Sequence, residues 1–166
     1  MANKVMKRTN VMDGGLVSLP LLFLAGGTEV STGFVLPTNS VIHPREMWII
    51  VDTLDAGVTV DVGILASETG GDADGFIVGA SAAAAALVKP TITISQGTNA
   101  NYISATTFGI LFLAAATKGA NVATQNAVPV LTPYICDGVA KTISYTPSAS
   151  DTFVGRLVFR LWQLPL

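Results

Sequence analysis

Every second residue from Val58 to Ile64 is apolar: Val58, Val60, Val62 and Ile64 fall on one side of an extended chain, with Thr59, Asp61 and Gly63 on the other. Successive side chains of a strand point to opposite faces, so Gly57–Leu65 predicts a half-buried β-strand. Near the end of the sequence, Phe153, Leu157, Phe159 and Leu161 alternate with Thr152, Val154, Arg156, Val158, Arg160 and Trp162. Both sets carry apolar groups. That fits a strand in the middle of a sandwich, or one whose outer face meets a partner through Trp162 and the two arginines. Ordinary core packing is the other reading of Trp162. Further strands are predicted over Val17–Leu24, Glu29–Leu36, Met47–Thr53, Phe76–Val78, Thr91–Ser95, Thr107–Ala114, Val128–Cys136 and Val139–Thr146.

Turn chemistry separates these runs. Gly26-Gly27, Pro37-Thr38-Asn39, Asp55-Ala56-Gly57, Gly70-Gly71-Asp72 and Gly97-Thr98-Asn99 supply residues that accept positive φ or fold back on their own backbone. Asp137-Gly138, between two strand-like runs, is the best hairpin signal. One segment breaks the pattern. Ser81–Val88 holds five consecutive alanines, which predicts a short helix, with Lys89 favourable at its C-terminal end and Pro90 as its stop. Many short strands with frequent turns point to an all-β sandwich or barrel rather than a parallel α/β sheet. The expected organisation is an N-terminal arm over residues 1–15 and a single β-sandwich domain over residues 16–166.

Composition changes this picture in one respect. Half of the 166 residues are hydrophobic and only 12% are charged, about half the charged share of an ordinary soluble domain. So little charge leaves apolar surface that a membrane or a protein partner must cover. The longest apolar run, Leu16–Ala25, is about half the 20 residues a membrane-spanning helix needs and contains Pro20, so no membrane partner is expected. With Lys4, Lys7 and Arg8 ahead of it, the run has the outline of a secretory leader. Asp13 between the basic and apolar parts and the lack of a small-residue cleavage pattern argue against one.

Candidate chemistry is sparse. His43 is the sole histidine, in a loop-like Val41-Ile42-His43-Pro44-Arg45 context, and no serine sits in a nucleophile-elbow pattern, so no enzyme is expected. Cys136 stands alone, which rules out an intrachain disulfide or a multi-cysteine metal site, and reads as a small buried hydrophobe. Asp72 and Asp74 in the acidic loop Glu68–Gly75 are the only metal candidates, for calcium. The further acidic ligands of an EF-hand loop are missing, so a turn is the simpler reading. No cofactor motif is present. Three of the nine basic residues, Lys4, Lys7 and Arg8, fall in the first eight positions. Without them six basic residues face eleven acidic ones, a formal charge of −5, which disfavours nucleic acid and leaves a basic docking arm.

Two blocks carry a resemblance. Leu54–Gly63 with Glu68–Phe76, and the later Ile143–Leu161, resemble segments of tailed-bacteriophage structural proteins. The resemblance implies a decoration or cement protein with a jelly-roll sandwich, a homotrimer on the virion surface that clamps the major capsid protein. The residues themselves, not the resemblance, nominate the contacts: the basic arm with Lys4, Lys7 and Arg8, the apolar stretch Leu16–Leu24, and the exposed face of the last strand with Trp162. A neck, tail or fibre-base component of a virion, or a carbohydrate-binding β-sandwich module, are the alternative expectations.

Overall fold

The computed structural model describes residues 14–22, 26–90, 107–112, 131–149 and 152–164. Among these the chain is all-β: β1 Gly15–Leu22, β2 Val30–Leu36, β3 Ser40–Thr53, β4 Thr59–Ile64, β5 Asp72–Ser81, β6 Leu87–Val88, β7 Thr107–Phe108, β8 Tyr134–Cys136, β9 Lys141–Pro147 and β10 Val154–Gln163. A single 3-10 turn, Ile110–Phe112, is the sole helical element among the described residues. The predicted strand Thr91–Ser95, the predicted turn Gly97-Thr98-Asn99, the ends of the predicted strands Val17–Leu24, Thr107–Ala114 and Val128–Cys136, and the basic residues Lys4, Lys7 and Arg8 lie outside the described residues.

Two antiparallel sheets form. Sheet A has the order β1-β10-β3-β6, with β8 also on β3, and sheet B has the order β2-β9-β4-β5-β7. The pairings nest. The first strand pairs with the last, β2 with β9, β3 with β8, and β4 with β5. Consecutive strands β1, β2, β3 and β4 therefore alternate between sheets, and the core fills the space between. Leu19, Leu21, Ile42, Ile49, Leu157 and Phe159 come from sheet A; Leu36, Val60, Val62, Ile64, Ile77 and Ile143 come from sheet B. Phe34 meets Phe159 edge-on across the layers, with ring centroids 5.7 Å apart. The predicted Val58–Ile64 face is buried throughout. Cys136 is buried, as expected, with its thiol directed at the carbonyls of Leu36 and Val139, and burial pushes its pKa up.

Three predictions are corrected. The alanine run is no helix: residues 83–86 form a bend and Leu87–Val88 is a strand. Its backbone serves strands instead. Val51 N–H donates to Ala86 O, Asp55 N–H donates to Ala82 O, and Ala82 N–H donates to Val58 O. Eight residues are too few for propensity alone to hold a helix in water, so these tertiary bonds prevail. Asp137-Gly138 is a turn, with Gly138 at φ 74°, but not a hairpin, because it carries the chain from β8 in sheet A to β9 in sheet B. The same-sheet turn is the acidic one, residues 65–71 between β4 and β5. There Gly63 leaves room for the Asp72 carbonyl, only 1.9 Å from where a Cβ would stand. His43 belongs to no loop. It lies inside β3, which starts seven residues before the predicted Met47 and accommodates His43 to Glu46 as a bulge between the pairs Ile42↔Leu161 and Met47↔Phe159.

β1 forms one edge of sheet A and is guarded. The backbone groups of Pro20 and Leu22 share one direction, by the two-residue alternation. Leu22 N–H donates to the Tyr145 hydroxyl, which in turn donates to Leu22 O, so this direction faces away from β10. Pro20 therefore sits where its missing N–H removes a donor from the open side. Replacing Tyr145→Phe should lower stability by about 1–2 kcal/mol, as a drop in urea midpoint at unchanged slope; an unchanged midpoint would show that Leu22 gains nothing from the hydroxyl.

Asp61 stands on the outward side of β4 and accepts a hydrogen bond from Gly79 N–H at 2.7 Å, closing a bulge in β5. Burial raises its pKa, against the Gly79 bond that lowers it, and Asp74 adds repulsion. The folded state thus holds this proton more tightly than the unfolded chain does. Stability from this group is present at low pH and lost as pH rises through the raised value. Asp61→Asn, which keeps an acceptor and removes the charge, should melt above the wild type at pH 7, with the gap closing as pH falls toward 4. A gap that widens on acidification would contradict this assignment.

Candidate interaction surface

Residues directly opposite one another in a sheet share a face, which defines the outward side of sheet A. On β10 it carries Val154, Arg156, Val158, Arg160 and Trp162; on β3, Trp48 and Ile50; on β1, Leu16, Ser18, Pro20 and Leu22. Leu87 of β6, opposite Ile50, and Ile135 of β8, opposite Val41, complete it. Of the nine large hydrophobic side chains exposed among the described residues, five lie here: Leu16, Leu22, Leu87, Ile135 and Val154. Exposed apolar side chains among the described residues thus gather on one face.

Both tryptophans of the chain belong to this face. Each lies across from a valine that is nearly inaccessible yet outside the core: Trp48 from Val158, and Trp162 from Val41, the valines being 5% and 6% exposed. Trp162 is half-buried and belongs to the outer face rather than the core. Its indole N–H donates to Glu46 Oε2 at 2.6 Å, the Arg160 guanidinium lies 5.7 Å from its ring centroid, and His43 meets it edge-on at 6.2 Å. The β3 bulge delivers both His43 and Glu46 to this place. Gly14 fits beneath, because a Cβ there would lie 2.5 Å from the Arg160 side chain and 2.7 Å from the indole. At the other end of the face the Lys89 ammonium lies 5.3 Å from the Trp48 ring centroid.

Charged groups stand within this face, Arg156 lying between Pro20 and Ile50. Arg156 donates two parallel hydrogen bonds to Asp52, Nε to Oδ2 and a terminal nitrogen to Oδ1, each 2.9 Å, and the guanidinium holds the Asp52 carboxyl below its usual range. Aromatic and arginine side chains among exposed aliphatics are the residue types enriched in protein interfaces.

Other candidates fall elsewhere. Asp72 and Asp74 lie in the first residues of β5, not in a loop. Glu68 of the same acidic stretch accepts from Thr142 N–H at 2.9 Å, and Lys141 donates to the Thr69 carbonyl, so this turn is tied to β9. Among the described residues no three histidine, cysteine, aspartate or glutamate side chains converge as a metal site, and no helix is long and apolar enough to cross a membrane. No family model, curated protein or solved structure matches the chain. The surface is therefore read from its own chemistry.

Sequence reasoning found Trp162 and the two-faced character of β10 but missed Trp48, Glu46 and Ile50. The signal for the first and last was present, since Trp48 and Ile50 alternate with the core residues Met47, Ile49 and Val51. Glu46→Ala should cost about 1–2 kcal/mol and loosen the indole, read as lower Trp162 fluorescence anisotropy in a Trp48→Phe background. Glu46→Gln should cost less. Unchanged anisotropy in Glu46→Ala would show that the carboxylate does not hold the ring.

Proposed function

We propose that the chain is a structural, non-catalytic assembly protein: a decoration protein of jelly-roll type on the outer surface of an icosahedral tailed-phage head. It docks as a homotrimer on the major capsid protein. The apolar outward face of sheet A carries this reading, because removing such a face from water at about 25 cal/mol per Å², repeated over symmetric copies, is how a shell component gains stability by association. The nested pairing of first strand with last, second with ninth and third with eighth supports the jelly-roll assignment, since rolling up one long antiparallel ribbon produces that order. A protein that binds only the assembled shell stabilises it by mass action. In this reading Trp162 and its neighbours meet a partner, and Lys4, Lys7 and Arg8 of the arm over residues 1–15 add contact with an acidic shell surface.

Leu22 and Val154 are opposite one another and both exposed, which makes them the place to test the face. The double variant Leu22→Asp, Val154→Asp should sediment as a monomer where the wild type is an oligomer, with its melting temperature little changed because neither side chain is in the core. Capsids lacking the protein, incubated with wild type and imaged by electron microscopy, should gain density at every equivalent lattice point. The double variant and a chain lacking residues 1–10 should leave those points emptier. Wild type that sediments as a monomer and adds no lattice density would overturn the proposal.

A further inference from the structure

A cleft of about 420 Å³ opens on the side of β3 away from β1, in the gap between its two short partners β6 and β8. The β3 bulge supplies Pro44 and Arg45, with Met47 beside them. Lys89 and Pro90 follow β6, Leu131 precedes β8, and Phe108 of β7 closes the side belonging to sheet B. The volume lies in the range of recognition pockets, and the described lining residues are apolar except for two cations.

Those cations are unusual in their setting. The chain is acidic, with a net charge of −2, yet among the described residues no carboxylate lines the cleft. Both Arg45 and Lys89 are exposed, and neither forms a salt bridge among the described residues, where the Arg156–Asp52 pair is the sole one. The Lys89 ammonium rests near the Trp48 ring, and such a contact leaves it free to take an anion as well. Guanidinium geometry favours a planar carboxylate, and the neighbouring Met47, Phe108 and Leu131 favour apolar side chains on either side of it.

We propose that this cleft is a docking site for an extended segment of a partner protein in which a glutamate or aspartate is flanked by leucine or phenylalanine. The carboxylate lies between Arg45 and Lys89, and an apolar neighbour enters against Met47, Phe108 and Leu131. The site extends the assembly reading by giving the chemistry of a second contact; it adjoins the outward face of sheet A through Lys89, while Leu22 and Val154 of that face do not line it.

The test uses the full chain and two capped tetrapeptides, Leu-Phe-Glu-Leu and Leu-Phe-Gln-Leu, followed by NMR. The glutamate peptide should shift the resonances of Met47, Phe108 and Leu131 and bind about tenfold more tightly than the glutamine peptide, the size expected when a charged partner is lost. The double variant Arg45→Gln, Lys89→Gln should keep a native spectrum and lose that preference. The Leu22→Asp, Val154→Asp variant should bind the glutamate peptide as the wild type does, so a failure of the outward face leaves this result standing. Equal affinity for the two peptides, or shifts that avoid the three cleft residues, would overturn the assignment whatever the oligomeric state.

Discussion

The pairing of β10 between β1 and β3 is the constraint on which the remainder of the molecule rests. The last strand of the chain occupies the middle of sheet A, so neither side of that sheet exists until the C-terminal segment has found both the N-terminal strand and a strand from the first third of the sequence. Its inward residues Leu157 and Phe159 fill the core, and its outward residues, with Val158 at their centre, organise the exposed face. One strand thus joins stability to surface chemistry. Contacts of such long sequence separation carry a large loop-closure cost before they yield any burial, which places this fold among the slower ones to form.

Much of that architecture is legible in the amino-acid sequence where a single local rule applies. Val58 to Ile64 and Phe153 to Trp162 announce themselves by alternation, and the low overall charge announces exposed apolar surface. Legibility fails where distant pairing overrides a local preference. The alanines of residues 82–86 favour a helix in isolation, but the N–H groups of Val51 and Asp55 claim the carbonyls of Ala86 and Ala82. Asp137-Gly138 has the chemistry of a tight turn, and turn chemistry is silent on whether the chain returns to its own sheet or crosses to the other. Pro44 breaks the alternation of β3, which hides the first seven residues of that strand.

The candidate surface divides in the same way. Trp162 and the arginines of β10 stand out from spacing alone. The group around Trp162 does not, because Glu46 and His43 reach it only through the bulge that inserts them between the partners of Leu161 and Phe159, and Gly14 reaches it from the far end of the chain. The cleft between β6 and β8 is less legible still. Its described lining comes from four separated stretches of sequence, and two of them, Lys89–Pro90 and Leu131, lie just outside the short strands β6 and β8.

The guard on β1 has a bearing on the shape of anything this protein builds. An open strand edge recruits copies by extending a sheet, and each addition presents a fresh edge, so growth of that kind has no natural end and yields filaments. Pro20 and the Tyr145 hydroxyl close part of that route, while the apolar area lies on a face. A face that meets the same face of a second copy is consumed once it is covered, so association of that isologous kind would stop at a closed body.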